Sequence, residues 1–452
     1  MDFIKYPVPV LDKSGFGKYI ARTMYLLETS TEDKPNKIKI AFTGQSITDP
    51  NNTWPVELTE WLRGKYPSAD IVCRNFAIGG FSTQCLYKRM PNDMGSFYPD
   101  LIICYDLGDH FLYDRMIKWV RENTDAEIMI QTEHCVKSYY RRHYTQELEW
   151  SDIMSYRHLP EIAGRYAAQL CDIRTPWKEY IDYIVADGLE SDILLSDGTH
   201  LNEYGQKFMF ELMKQFFVYR KESAGEVKKY LENMYIPVKR KDWQGNKLSL
   251  GFTGNRVEII GDVKDKISVK IDGKKPSEIT EAYIRTSENT GISSVLGIIN
   301  YKKPPPEQIF TITIKSFTDE KNFSYTVEGS ATGFEGMSDE YGVLDGEYLY
   351  MTHESFIFHS YNGKPEPGSQ YTFEAMLNGT DNYDGGSQYE YHKEKRELFD
   401  RNMLISGISV GEHILELEAG SEVPDIQAVK IYNPDDFSDF TKSQTNTCPY
   451  VS

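Results

Sequence analysis

The chain is poor in cysteine, poor in basic residues and free of long apolar runs, and each shortage closes off a class of function. Six cysteines are scattered through 452 residues, at positions 73, 85, 104, 135, 171 and 448. None form a CxxC pair or a metal-ligand spacing, so no metal site is written in them. Cys73 and Cys104 fall inside apolar, strand-like runs and are expected to be reduced core residues. The 50 Lys and Arg are outnumbered by 68 Asp and Glu, a formal net charge of -18, and no basic tract interrupts that balance. Such a chain repels phosphate backbones, which excludes nucleic acid as a partner. No apolar run is long enough to cross a membrane. The opening stretch MDFIKYPVPVLDKSG lacks the basic and apolar regions of a secretory signal, which fits a cytoplasmic chain or one whose signal has been removed.

What is present is globular. Hydrophobic content is 40% and aromatic content 13%, and the length implies two or three domains. The 32 tyrosines and 6 tryptophans would suit sugar stacking, although most are expected to fill β-rich cores.

Residues 37–220 alternate strand-like and helix-like segments. IKIAFTG (38–44), IVCRNFAIGG (71–80), PDLIICYDLGD (99–109) and AEIMIQTEH (126–134) read as strands. WPVELTEWLRGKYP (54–67), a short stretch near 83–90, RMIKWVRENT (115–124), IMSYRHLPEIAGRYAAQL (153–170) and NEYGQKFMFELMKQFFVY (202–219) read as helices. This alternation predicts an α/β domain with a parallel sheet covered on both faces, whose ligand site lies at the carboxyl ends of the strands. Residues 1–36 are expected to be an extension packed on that domain, with one helix in GKYIARTMYLLET, and 221–234 a helical connector. From 235 to 440 the segments become short, alternating and punctuated by Gly, Asn and Asp, the pattern of an antiparallel β-sandwich or jelly roll. No helical period is read there beyond isolated turns, and 441–452 is expected to be a loose tail.

Four strand ends supply chemistry. The first reaches Gly44-Gln45-Ser46, the second Asn75 to Gly80, the third Asp106 to His110; the loop LLSDGTHLNEYGQ later carries Asp197 and His200. An Asp and a His three apart on a loop can hydrogen-bond, the carboxylate fixing the imidazole tautomer while the free nitrogen takes a proton from a serine. Glycines at 79 and 80 let a backbone amide approach developing negative charge.

The order and content of these blocks resemble the SGNH (GDSL-type) hydrolases, carbohydrate-esterase-like members with an appended β-sandwich in particular. GQSIT stands for the family's first block, G-D-S-[IL]-T. Asn75 leading to Gly80 stands for the second, and DGTHLNEYG nearly matches the fifth. The resemblance covers about residues 37–220. It implies a flavodoxin-like sheet, Ser46 as nucleophile, His200 as general base and acid, Asp197 as its orienting carboxylate, and the Ser46 and Gly80 amides as oxyanion donors. It also implies a small-acyl ester of a carbohydrate, oligosaccharide or polysaccharide as substrate, and no cofactor.

Two positions depart from that pattern. Gln45 replaces the usual Asp, removing a charge beside the serine, and His110 occupies the slot of an asparagine that donates the third oxyanion hydrogen bond. A neutral histidine can donate in its place. Asp106, Asp109, Glu133 and His134 add acids and a base beyond what an acyl hydrolase needs. They suit sugar-hydroxyl binding, or a glycoside hydrolase working through Asp109, Glu133 or Asp197. A non-catalytic glycan-binding protein is the third reading. His110, Glu133 and His134 have no diagnostic metal spacing.

Overall fold

The computed structural model describes residues 5–106, 108–136, 150–263, 265–286, 295–358, 364–385, 389–392, 397–400, 402–420 and 422–444. Cys448 and most of the expected tail lie outside them.

The first half is built on five parallel strands: β1 (Lys37–Gly44), β2 (Asp70–Asn75), β3 (Leu101–Tyr105), β4 (Glu127–Gln131) and β5 (Gln169–Cys171). Their order across the sheet is β2-β1-β3-β4-β5, the flavodoxin-like arrangement. Successive side chains of a strand point to opposite faces, and both faces here are apolar. Ile38, Ile40, Phe42, Leu101, Ile103 and Tyr105 enter one core, with Trp54 and Trp177. Ala41, Ile102, Cys104, Ile128 and Ile130 enter the other. This two-sided burial explains why β3 reads as an unbroken apolar run and β1, apart from Lys39 and Thr43, as a mostly apolar one.

Among the described residues, helices that cover the sheet include α1 (Ala21–Thr29), α2 (Thr53–Lys65), α3 (Thr83–Phe97), α4 (His110–Asn123), α5 (Leu159–Arg165), α6 (Arg174–Ala186) and α7 (Glu203–Met213). The N-terminal extension docks through α1, where the buried Glu127 carboxylate accepts from the Arg22 and Thr23 amides, both at 2.7 Å. That anion sits where the helix has orphan N–H groups.

The structure corrects the sequence reading in five places. The stretch 153–170 is not one helix: it takes a π turn over Met154–His158, ends as α5 at Arg165, turns through Ala167 at φ 48°, and pairs as β5. α6 was not foreseen, although Trp177, Tyr180, Ile181 and Ile184 bury one face at helical spacing. α3 runs to Phe97, past Pro91, and α4 begins at His110 rather than near 115. A last helix, α9 below, closes the chain.

After α8 (Ala224–Asn233) the chain turns antiparallel. A seven-stranded sheet is centred on the long strands Lys247–Asp262 and Met403–Ala419 and has its own apolar core. Between them the chain builds a five-stranded and a three-stranded sheet around a separate core that includes Phe310, Phe323, Tyr325 and Phe373. α9 (Pro434–Ser443) starts at an Asn433 cap and returns to the first half, laying Phe437 under the Arg22 guanidinium at 4.4 Å.

The halves meet at a buried polar seam. Tyr98 donates to Asn255 Oδ1 at 3.0 Å, and Tyr230 donates to Asp125 Oδ2 at 2.9 Å. Burial pushes Asp125 up to about 6 against the partial relief given by Arg22. A carboxyl whose folded pKa lies above its unfolded value favours folding while protonated and loses that advantage as pH rises through the window from about 4 to about 6. Asp125→Asn is therefore expected to be more stable than wild type at pH 7.5, by roughly 2 kcal/mol, with the difference shrinking by pH 4.5. Denaturant unfolding at the two pH values checks this; an equal or destabilising change at both would remove the assignment.

Candidate active site

β1 and β3 are neighbours in register, with Gly44 opposite Tyr105. Their carboxyl ends therefore deliver Gln45-Ser46 and Asp106 to His110 side by side. Gly44 is required for this closeness: at φ 155° a Cβ there would lie 2.1 Å from the Tyr105 carbonyl oxygen. The Ser46 turn is held by backbone and side-chain hydrogen bonds. The Gln45 carbonyl accepts from the Thr48 and Asp49 amides at 2.9 and 3.0 Å, Asn52 Nδ2 donates to the Ser46 carbonyl at 2.5 Å, and Trp54 Nε1 donates to the Ile47 carbonyl at 2.7 Å. Gln206 on α7 pairs with Asn52 and accepts from the Trp54 amide, which ties the serine turn to the helix that follows His200.

Ser46 meets His200. Its Oγ lies 3.0 Å from His200 Nε2, and His200 Nδ1 lies 2.7 Å from Asp197 Oδ2. The other Asp197 oxygen accepts from the Thr199 and His200 amides at 3.0 and 2.8 Å. These bonds, led by the His200 amide, its ring and the Thr199 amide, hold the Asp197 carboxyl far below the usual carboxylate range although it is exposed. With Asp197 ionised, Nδ1 carries the imidazole proton and Nε2 presents its lone pair to the serine hydroxyl.

The second block closes the other side of the serine. Asn75 Nδ2 donates to the Thr48 carbonyl at 2.6 Å, and its Oδ1 accepts from the Ala77 amide at 3.0 Å. A Cβ on Gly79 would sit 3.9 Å from Ser46 Cβ, so this turn lies against the serine. The Gly79 amide donates to Asp49 Oδ2 at 3.0 Å. Gly80 takes φ 80°, which favours glycine. Among the described residues neither the Ser46 nor the Gly80 amide is paired with a backbone acceptor.

The remaining sequence candidates are distributed differently. Asp109 caps α4, its Oδ1 accepting from the Phe111 and Leu112 amides. Glu133 lies 3.8 Å from the buried Arg174, which also pairs with Asp152 at 2.8 Å. Asp106 is buried at the exit of β3, and the Gln45 side chain is half-buried beside Ser46. His110 stacks on His158, ring centroids 3.8 Å apart, with Trp150 and Phe111 flanking it. Among the described residues no hydrogen bond joins it to Ser46, and its Nδ1 has no partner. His134 is 1% exposed and turned inward, between Tyr105 and the Thr199 carbonyl. No group of His, Cys, Asp and Glu among the described residues is arranged to hold a metal ion.

Sequence reasoning missed Asn52, Gln206 and Tyr105, which act through the fold rather than through any motif. It also missed the exposed aromatics at the exit of β3: Phe111 is 71% and Trp150 42% exposed.

No known family's sequence profile matches the chain, and no curated protein does. Among solved structures, a two-domain esterase (CEX) active on acetylated mannans is similar at 15% identity over 93% of this chain and 96% of that one, with a TM-score of 0.38. The acetyl xylan esterase AlAXEase is similar at 20% identity over 40% of this chain and 100% of that one, TM-score 0.34. Axe2, an acetylxylan esterase from Geobacillus stearothermophilus, is similar at 17% identity over 41% of this chain and 96% of that one, TM-score 0.35.

Proposed function

We propose that this chain is a serine hydrolase of the SGNH type that removes acetyl or another small acyl group from a carbohydrate. The observation that carries the reading is the unbroken line Asp197–His200–Ser46, with both contacts at hydrogen-bond distance. His200 Nε2 takes the Ser46 proton as Oγ attacks the ester carbonyl. The oxyanion falls to the Ser46 and Gly80 amides, donors built into the turn and needing no reorganisation. His200 then protonates the departing sugar alkoxide, and water releases the acyl enzyme by the same path. Asp197 stays ionised throughout, so its role is to fix the tautomer and stabilise the imidazolium.

The carboxylate alternative draws no support from the site. A glycosidase needs two carboxyl groups facing each other across the scissile bond, whereas Asp109 caps a helix, Glu133 lies against Arg174 and Asp197 is hydrogen-bonded to the His200 ring. The test is acetate release from acetylated xylan and acetylated mannan beside cleavage of aryl glycosides. Acetate without glycoside cleavage is expected; the reverse would replace this reading.

The carbohydrate half of the proposal rests on the aromatic surface where β3 exits, one strand over from Ser46. An exposed ring offers a sugar its apolar face. Phe111→Ala is expected to raise KM for an acetylated polysaccharide about tenfold, the loss of about 1.4 kcal/mol, while kcat/KM for 4-nitrophenyl acetate changes less than about threefold. Equal losses on both substrates would remove the sugar-binding role.

A further inference from the structure

The Asp197–His200 hairpin is exposed, with side chains 56% and 48% accessible. An exposed loop does not by itself hold an imidazole on target. The anchor lies beneath it. His134 Nε2 is 2.8 Å from the Thr199 carbonyl oxygen, and a carbonyl only accepts, so Nε2 carries the ring proton. His134 Nδ1 is 2.6 Å from the Tyr105 hydroxyl, which donates to it. Burial holds the His134 pKa down to about 4, so the ring is neutral with one N–H, as both contacts require. Trp177 packs edge-on against it, ring centroids 5.3 Å apart.

The clamped group is the peptide unit between Thr199 and His200. Its C=O is held by His134 and its N–H by Asp197 Oδ1 at 2.8 Å. Gripped at both ends, that plane cannot rotate, and the direction of the His200 side chain is set by it. Tyr105 also lies opposite Gly44 in the sheet, two residues before Ser46. Starting from the proposed Ser46 chemistry, we propose that Tyr105 and His134 are positioning residues: a buried hydrogen-bonded relay that fixes the Thr199–His200 peptide and so registers the general base on the nucleophile.

Three variants test this. His134→Leu keeps volume and removes the donor, His134→Gln keeps a donor that reaches the same carbonyl, and Tyr105→Phe removes only the hydroxyl. With 4-nitrophenyl acetate, kcat is expected to fall about 100-fold in His134→Leu at nearly unchanged KM, the scale of a misplacement of about 1 Å. His134→Gln recovers most of it, and Tyr105→Phe loses several-fold. In parallel, the low-field proton resonance of His200 Nδ1–H against Asp197 is followed by NMR in histidine-labelled protein. It is expected to be sharp in wild type and in His134→Gln, and exchange-broadened in His134→Leu. That resonance reports hairpin order even if the esterase reading fails, which a wild type inert on all esters would show separately. Should His134→Leu not fold, Tyr105→Phe and His134→Gln carry the comparison. The inference is overturned if the folded variants keep wild-type kcat and an unchanged His200 resonance, or if His134→Gln is as impaired as His134→Leu.

Discussion

Ser46→Ala is expected to lower kcat on aryl acetates by about four to six orders of magnitude, and His200→Ala by a similar factor. In the proposed mechanism the two act as one unit, because a hydroxyl without its base and a base without its hydroxyl would be equally idle. The double variant should therefore lose no more than either single one. Asp197→Ala should cost less, about 10³–10⁴, because it removes the group that orients the imidazole and leaves the attacking atoms in place. Stability should stay within about 1 kcal/mol in Ser46→Ala, since among the described residues the side-chain bond lost is the one to His200, on the exposed rim. Steady-state rates with the unfolding midpoint of each variant check the set. A Ser46→Ala enzyme within tenfold of wild type would mean that the serine is a turn residue.

Gly205→Ala should be the most damaging change outside the reacting groups. On helix propensity alone, alanine for glycine in a helix gains about 1 kcal/mol. The packing reverses that sign. A Cβ on Gly205 would sit 2.1 Å from the Leu194 carbonyl oxygen and 3.2 Å from Leu201 Cδ2. That carbonyl accepts from the Asn202 amide, and the Asn202 side chain both caps α7 and donates to the Ile193 carbonyl at 2.8 Å. The hairpin carrying Asp197 and His200 is thus wrapped on the first turn of α7 at a distance only glycine permits. A net loss of about 1–3 kcal/mol is expected, with kcat/KM down about 100-fold as the hairpin shifts off Ser46. Thermal unfolding and kcat/KM check both; a stabilised, fully active Gly205→Ala would show that the hairpin does not depend on this contact.

The last glycine of DGTHLNEYG therefore has a steric cause, which is why that block was legible in the sequence. The Asp-His spacing of three lets one carboxylate bind the ring and two amides at once, and both facts are local. β1 and β3 were legible because burial on both faces leaves mostly apolar residues in the run, Lys39 and Thr43 being buried exceptions in β1. β5 was not: three residues are too few for a period, and the helical pattern before it hid the turn at Ala167. α9 went unread because only Pro434, Phe437 and Thr441 are buried, although Asn433-Pro434 is a good start signal.

Apart from Asp109, which caps the helix directly after it, the candidates that scattered are those whose surroundings come from far along the chain. His110 is defined by a stack with His158. Glu133 is defined by Arg174, and His134 by the Thr199 carbonyl. An acid read on a strand end looks available for catalysis until the helix that neutralises it is placed, and α6, which carries Arg174, was the helix the sequence reading lacked.

The proposed mechanism makes Ser46 a nucleophile activated by His200. Its most direct test is intact-protein and peptide mass spectrometry after treatment with a fluorophosphonate, on wild type and His200→Ala. One adduct on the peptide containing Ser46 is expected in wild type, forming far more slowly in His200→Ala. No adduct, or an adduct on a different serine with Ser46 unmodified, would show that Ser46 is not the nucleophile.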